Sequence, residues 1–565
     1  MSQSAEGGEG IVEARTEFGV DPSNYRHWSV DIDGSVATVT MAVTPDAGLS
    51  TGYELKTNSY DLAVDIELHD IAQRLRFEHA GVKAVVLTGG LDKIFCAGAN
   101  IQMLAGATHG HKVNFCKFTN ETRNSIEEAT EYSGQTWIAA VNGTAAGGGY
   151  ELALACDEIL LVDDLASAVS LPEIPLLAVL PGTGGLTRVV DKRRVRRDLA
   201  DVFTTRIEGV KGQQAVDWRL VDAIAPKSNF DSLVAGRAAA RAATSSRPDG
   251  CPGVPLPIFG STTTVGADGL IGRNVDVSID RQLGTAAFVV RGPSTLQPGT
   301  AEQLIEAGAD GWLLNTALEL DYAILLLRLN EPLIGTWLLH TEGDDDAVLA
   351  AEAVIEREPE NWFVREVRLL WTRTLKRLDL SSRSLIAMID EGSCFAGTLA
   401  ELAFAADRAI MLDGQREGSD QPAPKMVLTD ANFGWYHMSN GISRLATRFW
   451  HRDDAYAVVR DLMGKDLNAE AAAVAELVTF AMDDIDWDDE VPVMIAERCS
   501  FSPDALTAME ANYRFVGPET METKIFSRLT AWQNWVFQRP NAVGPNGALQ
   551  RFGTGSRPEY DRNRV

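Results

Sequence analysis

Two glutamates, Glu151 and Glu173, have the type and placement best suited to acid–base chemistry in this sequence. Glu151 follows three glycines, 147–149, at the predicted start of a helix, and Glu173 follows the next predicted strand. Two carboxylates in one desolvated pocket suit acid–base work, because burial and mutual repulsion raise one pKa and separate the two roles. The pair therefore predicts an acid–base site. The alternative is that each is a surface or helix-capping acid.

The same glycine-rich stretch offers backbone donors for an oxygen that becomes negative during a reaction. The N–H groups at a helix N-terminus point outward and carry a partial positive charge, and glycine lets a ligand approach the backbone closely. A second turn of small residues, Cys96–Gly98, precedes another candidate donor, the backbone N–H of Ala99. The two turns together predict a site that stabilises an oxyanion. A close-packed turn without a ligand is the alternative at each place.

Alternating strands and helices must position these groups. Continuous apolar runs at Lys83–Thr88, Trp137–Val141 and Glu158–Val162 predict buried strands, and Tyr60–Glu78 has the apolar spacing of a helix. Trp28–Thr44 alternates apolar and polar residues around a turn and predicts a hairpin. This order is typical of an α/β fold built from crossover connections.

The composition limits the classes of function that fit the chain. The 565 residues include 79 acidic and 51 basic side chains, a formal net charge of −28 at pH 7. Such a charge repels nucleic acid and anionic membranes, so neither is an expected partner. No apolar run is long enough to span a membrane, and the N-terminal stretch has no secretory-signal pattern. We therefore expect a cytoplasmic protein.

The sequence gives no sign of a metal site or a bound cofactor. Its six cysteines lie far apart without a CxxC pair, which is typical of reduced thiols rather than of disulfides or zinc. The histidines show no ligand spacing, and no G-x-G-x-x-G opens a βαβ unit after residue 250. We expect no metal and no cofactor.

The first half of the chain recurs in the second. Glu401–Asp407 matches Glu151–Asp157 at five of seven positions, and an apolar strand precedes each. The copies differ where chemistry is expected, because glycines 147–149 become Gly-Thr-Leu at 397–399 and the second copy has no clear counterpart of Glu173. The pattern predicts an internal duplication with one working and one degenerate half. The expected domains are a catalytic domain at 1–250, a Pro- and Gly-rich linker at 251–284, a degenerate copy at 285–500 and a helical tail at 501–565.

Six motifs in a fixed order resemble the crotonase, or enoyl-CoA hydratase/isomerase, superfamily. The resemblance covers residues 28–240 and implies an α/β fold with a ββα spiral core that binds an acyl-CoA thioester. Asn100 stands where the family usually has aspartate, and the interval between the two glutamates is slightly longer than usual. The motifs are NSYDL (58–62), VVLTGG (85–90), FCAGAN (95–100), IAAVNGTAAGGGYELALACD (138–157), PEIPLLAVLPGTGGLTRV (172–189) and LVDAI (220–224).

The resemblance also implies roles for particular residues. The N–H groups of Ala99 and Gly148 match the two oxyanion donors, and Glu151 and Glu173 match the catalytic glutamates of the hydratases. Coenzyme A then belongs to the substrate and is not a separate cofactor. Lys56, beside the first motif, is a candidate phosphate contact, and Cys116 is a candidate lining residue of the acyl pocket.

The length and the two-half organisation resemble one branch of the superfamily, which cleaves the ring of an epoxidised aromatic CoA thioester with two waters and releases formate. This lyase activity is the expected function. An ordinary enoyl-CoA hydratase with an inert second half and a non-catalytic acyl-CoA-binding scaffold are the alternatives. Because crotonase units leave apolar surface that another copy covers, we also expect a homodimer.

Overall fold

The computed structural model describes residues 15–565. The chain divides into two compact units, with the boundary after Phe259. Expectations for the N-terminal stretch before residue 15 lie outside the described residues. The strands of the first unit are β1 Trp28–Asp33, β2 Val36–Met41, β3 Ser59–Tyr60, β4 Ala84–Gly89, β5 Lys93–Cys96, β6 Gly98–Ala99, β7 Thr136–Val141, β8 Gly143–Ala146, β9 Glu158–Asp163, β10 Val169–Ser170 and β11 Ala223–Pro226.

Nine α-helices are described in the first unit, including a long helix with a side-chain N-cap and a last helix that packs on the large sheet. The long helix that follows β3 has Asp61 as its N-cap, whose side chain accepts a hydrogen bond from the Val64 N–H. The last helix packs on the large sheet through Phe230 and Ala238. The helices are α1 Leu62–Phe77, α2 Ile101–Gly106, α3 His109–Tyr132, α4 Gly148–Ala155, α5 Glu173–Leu177, α6 Gly185–Thr187, α7 Arg197–Thr204, α8 Gly212–Asp217 and α9 Lys227–Ala243.

The large sheet of the first unit has the strand order β1-β2-β4-β7-β9-β11. Its first two strands form the predicted hairpin, and each later strand pairs in parallel with its neighbour. All but one residue of β7 are buried, as expected for a central strand covered on both faces. Two smaller parallel sheets, β10-β8-β5 and β3-β6, stand beside it and carry the candidate site.

The second unit has a large sheet of eight strands in the order β12-β13-β14-β15-β16-β17-β19-β22 and a small sheet β18-β20-β21. From β15 onward, the large sheet is parallel throughout, as in the first unit. The strands are β12 Thr264–Gly266, β13 Gly269–Ile271, β14 Val275–Asp280, β15 Thr285–Arg291, β16 Thr336–Glu342, β17 Ser384–Ile389, β18 Phe395–Ala396, β19 Arg408–Leu412, β20 Met426–Val427, β21 Asp466–Leu467 and β22 Phe480–Met482.

The helices of the second unit include one, α18, that packs on its sheet through Trp487, Val491 and Ile495, much as α9 does in the first unit. The helices are α10 Ala301–Ala307, α11 Trp312–Asn330, α12 Asp345–Arg357, α13 Trp362–Asp379, α14 Gly397–Ala405, α15 Arg444–Arg448, α16 Asp453–Arg460, α17 Ala469–Val474, α18 Asp484–Ser500, α19 Pro503–Tyr513, α20 Met521–Thr523, α21 Thr530–Val536, α22 Pro540–Val543 and α23 Ala548–Arg551.

Two expectations about boundaries need correction. Residues 264–280 were expected to be linker but form β12–β14 at the edge of the second sheet, because the alternation of Val275 and Val277 with polar neighbours is a strand pattern. The neighbouring prolines and glycines hid that pattern. Helix α4 begins at Gly148 rather than at Glu151, so the glutamate lies within the first turn.

Candidate active site

The first feature of the site is the glycine bend between β8 and α4. Gly147 has φ +52° and ψ −127°, a conformation that residues with a side chain rarely adopt, and its N–H donates to the Ser170 carbonyl at 2.9 Å. Because β10 pairs in parallel with β8, the end of β10 lies beside this bend. Gly148 is the first residue of α4, so its N–H has no acceptor within the helix.

The second donor lies on β6. Asn100 donates its N–H to the Tyr60 carbonyl of β3 at 2.8 Å, so in extended backbone the preceding N–H, that of Ala99, points away from β3. A Cβ built on Gly148 would lie 3.2 Å from the Ala99 nitrogen. The structure thus brings together the two backbone donors that the sequence predicts.

Asn100, the departure from the family pattern, caps the helix that follows this donor. Its side-chain oxygen accepts the Met103 N–H at 2.9 Å, and its amide donates to the Glu54 carbonyl at 2.8 Å. Asparagine and aspartate cap a helix about equally well. Asn100 therefore supplies the helix cap that aspartate would supply, and its amide adds a hydrogen bond to the Glu54 carbonyl that aspartate cannot donate.

Glu151 is buried in the first turn of α4, and its carboxylate is held by the loop at 183–185. The backbone N–H groups of Thr183 and Gly185 donate to Oε1 at 3.0 and 2.8 Å. The Thr183 hydroxyl donates to Oε2. Three donors on two oxygens fix the orientation of this carboxylate.

Glu173 is the first residue of α5 and lies over the glycine bend. A Cβ built on Gly147 would lie 2.6 Å from Glu173 Oε1, so a side chain there would displace the carboxyl group. Oε2 is buried and has no hydrogen-bond partner among the described residues. Burial, and next the negative charge of Glu151, together raise the pKa of Glu173 to about 7. The two glutamates are therefore electrostatically coupled.

Cys116 and Lys56 have different surroundings. Cys116 lies on α3 beside the loop that holds Glu151, and a Cβ built on Gly182 would lie 3.5 Å from its sulfur. Burial, and next the charge of Glu151, raise the pKa of this thiol to about 11, so it is protonated at neutral pH. Lys56 precedes β3 with 75% of its side chain exposed and forms an ion pair with Glu54 at 2.8 Å. The structure brings Cys116, but not the Lys56 ammonium, to the glutamates.

Sequence reasoning missed the residues that hold these groups. Thr183 and Gly185 lie in a motif, LPGTGG, whose letters were recognised but whose contact with Glu151 was not. Arg123 on α3 donates to the Gly148 and Thr183 carbonyls at 3.0 and 3.1 Å. A single arginine within a long helix carries no signal in the sequence that predicts these bonds.

Within residues 15–565, no group of three or more His, Cys, Asp or Glu side chains is arranged to hold a metal ion. No helix in the same range is long and apolar enough to cross a membrane.

The second unit has a similar bend at the start of α14, with a different occupant. Gly397 has φ +46°, and the carboxylate of Glu352, from α12, lies over it. Glu352 Oε2 accepts the Thr398 N–H at 2.6 Å and the Thr398 hydroxyl at 2.7 Å, and Oε1 accepts the Thr429 hydroxyl at 2.7 Å. The N–H of Thr398, the second residue of α14, is therefore already bonded to a carboxylate of the same chain.

Glu401 stands in α14 where Glu151 stands in α4, but other side chains hold it. Asn432 donates to its Oε1 at 2.9 Å, and Arg444 donates to its Oε2 at 3.0 Å while also pairing with Asp379 at 2.7 Å. Burial raises the pKa of Glu401 to about 7, against the opposing charge of Arg444. Every one of these side chains is buried.

Comparison with known proteins identifies the family. Residues 55–247 match the enoyl-CoA hydratase/isomerase family model. Benzoyl-CoA-dihydrodiol lyase of Aromatoleum evansii is 54% identical over 556 residues, 98% of each chain. Fatty acid oxidation complex subunit alpha of Shewanella loihica is 29% identical over 198 residues, 35% of this chain and 26% of that one.

Among solved structures, the enoyl-CoA hydratase from Bacillus anthracis is 28% identical, with a TM-score of 0.33, and covers 39% of this chain and 77% of that chain. The family match places a crotonase-like α/β domain in the first unit. The chain is an enzyme of the lyase class that belongs to the crotonase superfamily and, within it, to the family of benzoyl-CoA-dihydrodiol lyase.

Proposed function

We propose that this lyase opens and cleaves the ring of 2,3-epoxybenzoyl-CoA with two waters, giving 3,4-didehydroadipyl-CoA semialdehyde and formate. The observation that carries the proposal is the pair of coupled glutamates beside two backbone donors, in a chain 54% identical over 98% of its length to benzoyl-CoA-dihydrodiol lyase. Coenzyme A is part of the substrate, and the reaction as proposed needs no metal or redox cofactor.

The donors act on the thioester oxygen. The first water opens the epoxidised ring, and the second attacks the carbon that leaves as formate. When that carbon leaves, its bonding electron pair stays on the carbon α to the thioester and forms an enolate. The N–H groups of Ala99 and Gly148 stabilise the enolate oxygen, and the loss of one such donor typically costs about 3 kcal/mol of transition-state stabilisation.

The two glutamates take separate roles in this proposal. Glu173, with a pKa of about 7 and an unbonded buried oxygen, takes a proton from water and returns it to the α carbon. Glu151 is held in one orientation by three donors, so it orients water, and its negative charge adds to burial in raising the pKa of Glu173. Changing both to glutamine should therefore cost less than the product of the two single losses.

Product analysis separates this activity from the alternatives. The enzyme is incubated with epoxidised benzoyl-CoA and, separately, with crotonyl-CoA, and products are identified by mass spectrometry. Formate with a C6 aldehyde thioester supports the proposal. Hydration of crotonyl-CoA alone supports an ordinary enoyl-CoA hydratase, and binding without turnover of either supports a scaffold.

We also propose that the second unit is a degenerate copy without its own active site. The supporting observations are the parallel strand run shared by the two large sheets and the bond from the Thr398 N–H, in the first turn of α14, to the Glu352 carboxylate. Titration calorimetry with benzoyl-CoA tests this point. One binding site per chain is expected, and two sites would contradict it.

The assembly we propose is a homodimer through the C-terminal tail. Residues 521–565 carry seven basic and three acidic side chains on a chain of net charge −28, and the tail exposes apolar side chains such as Phe526, at 68%. A tail with an excess of basic residues and exposed apolar side chains, on an acidic protein, fits a second copy. Sedimentation at micromolar concentration should show a dimer, and a stable monomer would contradict it.

The proposal also covers the contact of Lys56 with coenzyme A and the cellular compartment of the enzyme. Lys56, which is exposed and paired with the neighbouring Glu54 side chain, contacts a CoA phosphate when substrate binds, so Lys56→Ala should raise KM and leave kcat unchanged. All six cysteines are free, which fits a cytoplasmic enzyme of benzoate degradation.

A further inference from the structure

Arg123 is a buried cation at the centre of the candidate site. It lies on α3 with 1% of its surface exposed. One end of its guanidinium donates to the Gly148 carbonyl at 3.0 Å and another to the Thr183 carbonyl at 3.1 Å. Its central carbon lies 6.0 Å from the centre of the Tyr60 ring.

Each of these neighbours belongs to a different part of the catalytic arrangement. Gly148 begins α4 and supplies one oxyanion donor. Thr183 supplies two of the three hydrogen bonds that hold Glu151. Tyr60 lies on β3 directly opposite Ala99, the other donor. A single planar side chain thus contacts the helix start that carries one donor, the strand paired with the other donor and the loop that holds the Glu151 carboxylate. The relative positions of these segments decide whether the donors and the carboxylate meet the same thioester.

The charge of Arg123 also affects the pKa values of neighbouring side chains. Burial raises the pKa of Asp65 to about 6, and the Arg123 charge opposes that rise, as do hydrogen bonds from Tyr60 and Thr122. The same charge lowers the pKa of Cys116 against the larger effect of burial. A buried guanidinium beside a site where negative charge develops favours the charged transition state, because a low-dielectric interior strengthens the attraction.

We propose that Arg123 is a positioning residue of the lyase reaction. It fixes the Gly148 peptide and the Thr183 loop relative to each other, and its charge helps the two backbone donors to polarise the thioester carbonyl. The proposal rests on the proposed function, since it assumes that a thioester oxygen sits between Ala99 and Gly148.

The test measures polarisation without turnover. Benzoyl-CoA labelled with ¹³C at the carbonyl is bound to the protein, and the carbonyl stretch is recorded by difference infrared spectroscopy. Arg123→Met and Arg123→Lys are compared with the full-length wild type. Arg76→Met is the matched control, because Arg76 is equally buried but binds Glu128, Ser125 and Ser133 between α1 and α3, away from the donors.

In the wild type the carbonyl stretch should fall on binding. In Arg123→Met the fall should shrink by more than half, and kcat should drop about 100-fold with KM within about threefold, as for the loss of an oxyanion donor. Lysine keeps the charge but lacks the planar fork whose two nitrogens reach the separate carbonyls, so Arg123→Lys should lie between the wild type and Arg123→Met. Arg76→Met should lower the melting temperature but leave both the carbonyl stretch and kcat unchanged.

Guanidinium ion supplies a further readout. Added to Arg123→Ala at concentrations well below those that unfold the protein, it should restore part of kcat, whereas it should not raise kcat in the wild type. A purely structural role for Arg123 predicts no such rescue in folded protein.

The outcomes separate the two proposals. A wild type that neither shifts the benzoyl-CoA carbonyl nor cleaves the epoxide overturns the proposed function. If the wild type shifts the carbonyl and cleaves the epoxide, and Arg123→Met shows the same carbonyl stretch as the wild type, only the role of Arg123 is overturned. If no Arg123 variant folds, Asp65→Asn tests the role of Arg123 instead. Removing the Asp65 charge leaves more of the Arg123 charge uncompensated, so the carbonyl shift should become larger. An unchanged shift there overturns the role of Arg123.

Discussion

A similar glycine bend lies at the N-termini of α4 and α14, but the carboxylates over the two bends differ in their hydrogen bonds. At both, a glycine with φ near +50° lies under a carboxylate, that of Glu173 in the first unit and that of Glu352 in the second. Glu352 bonds the helix N–H and two hydroxyls. Glu173 instead leaves one buried oxygen without a partner among the described residues.

The comparison shows that the bend does not decide the chemistry. A helix N–H bonded by a carboxylate of its own chain is stabilised, and that N–H no longer serves as a donor for a substrate oxygen. An unbonded buried carboxyl group costs stability, but its raised pKa suits proton transfer near neutral pH. Four experiments break or sharpen this contrast.

The largest effect is expected from the matched pair Glu151→Gln and Glu401→Gln. Loss of the Glu151 charge should lower kcat by about 10²–10⁴-fold, because water is no longer oriented and Glu173 loses the charge that tunes it for proton transfer. Loss of the Glu401 charge weakens its pair with Arg444 and should lower stability, with kcat within about twofold of wild type at temperatures where the variant is folded. Steady-state kinetics and thermal unfolding measure both. Equal losses of kcat would show that both units act in catalysis.

Substitution at the two helix starts should have the next largest effect. The Cβ of Gly148→Val points to within 3.2 Å of the Ala99 nitrogen, so the side chain displaces the thioester oxygen. We expect a loss of about 10²–10³-fold in kcat in a folded protein. Thr398→Val, at the matching position, removes one hydroxyl bond to Glu352 and should leave kcat unchanged. Near-normal kinetics in Gly148→Val would remove that N–H from the oxyanion site.

The carboxylate on α14 should matter for stability alone. Glu352→Ala leaves the Thr398 N–H and two hydroxyl groups without their acceptor, so the free energy of unfolding should fall by about 3 kcal/mol. Turnover should not change. Urea unfolding and kinetics on the same samples test both statements. A tenfold loss of kcat, or unchanged stability, would contradict the structural role of Glu352.

The smallest effect concerns pH. The pKa of Glu173 is raised to about 7 in the folded state, so the folded protein binds more protons than the unfolded chain between the ordinary carboxyl pKa and pH 7. Stability should therefore fall as pH rises through that window, and Glu173→Gln should remove the fall. We expect the melting temperature of this variant to exceed that of wild type by about 2–4 °C at pH 8 and to match it below pH 4. A constant difference across pH would contradict the raised pKa.

Local patterns predicted much of the fold. The apolar runs that gave β4, β7 and β9 and the spacing that gave α1 depend on neighbours in sequence, so one chain suffices to read them. The same holds for the helical tail, where Met521–Val536 continues through two short helices and the π-helical turn between them.

The contacts that decide the site lie far apart in sequence. Glu352 reaches Thr398 across 46 residues and Arg123 reaches Thr183 across 60, and neither contact follows from local spacing. The two glutamates were found because each stands beside a recognisable motif, whereas Arg123 and Glu352 stand within ordinary helices. Tertiary packing alone makes them partners.

The burial of Arg123 also decides how this enzyme responds to ionic strength. Mobile ions screen exposed charges beyond a distance of about 8 Å at physiological ionic strength, but they do not enter a packed interior. Added salt therefore weakens the repulsion between the chain, at −28, and an anionic CoA substrate while the guanidinium keeps its full effect on the thioester. Substrate capture should become faster with salt, and the chemical step should keep its rate.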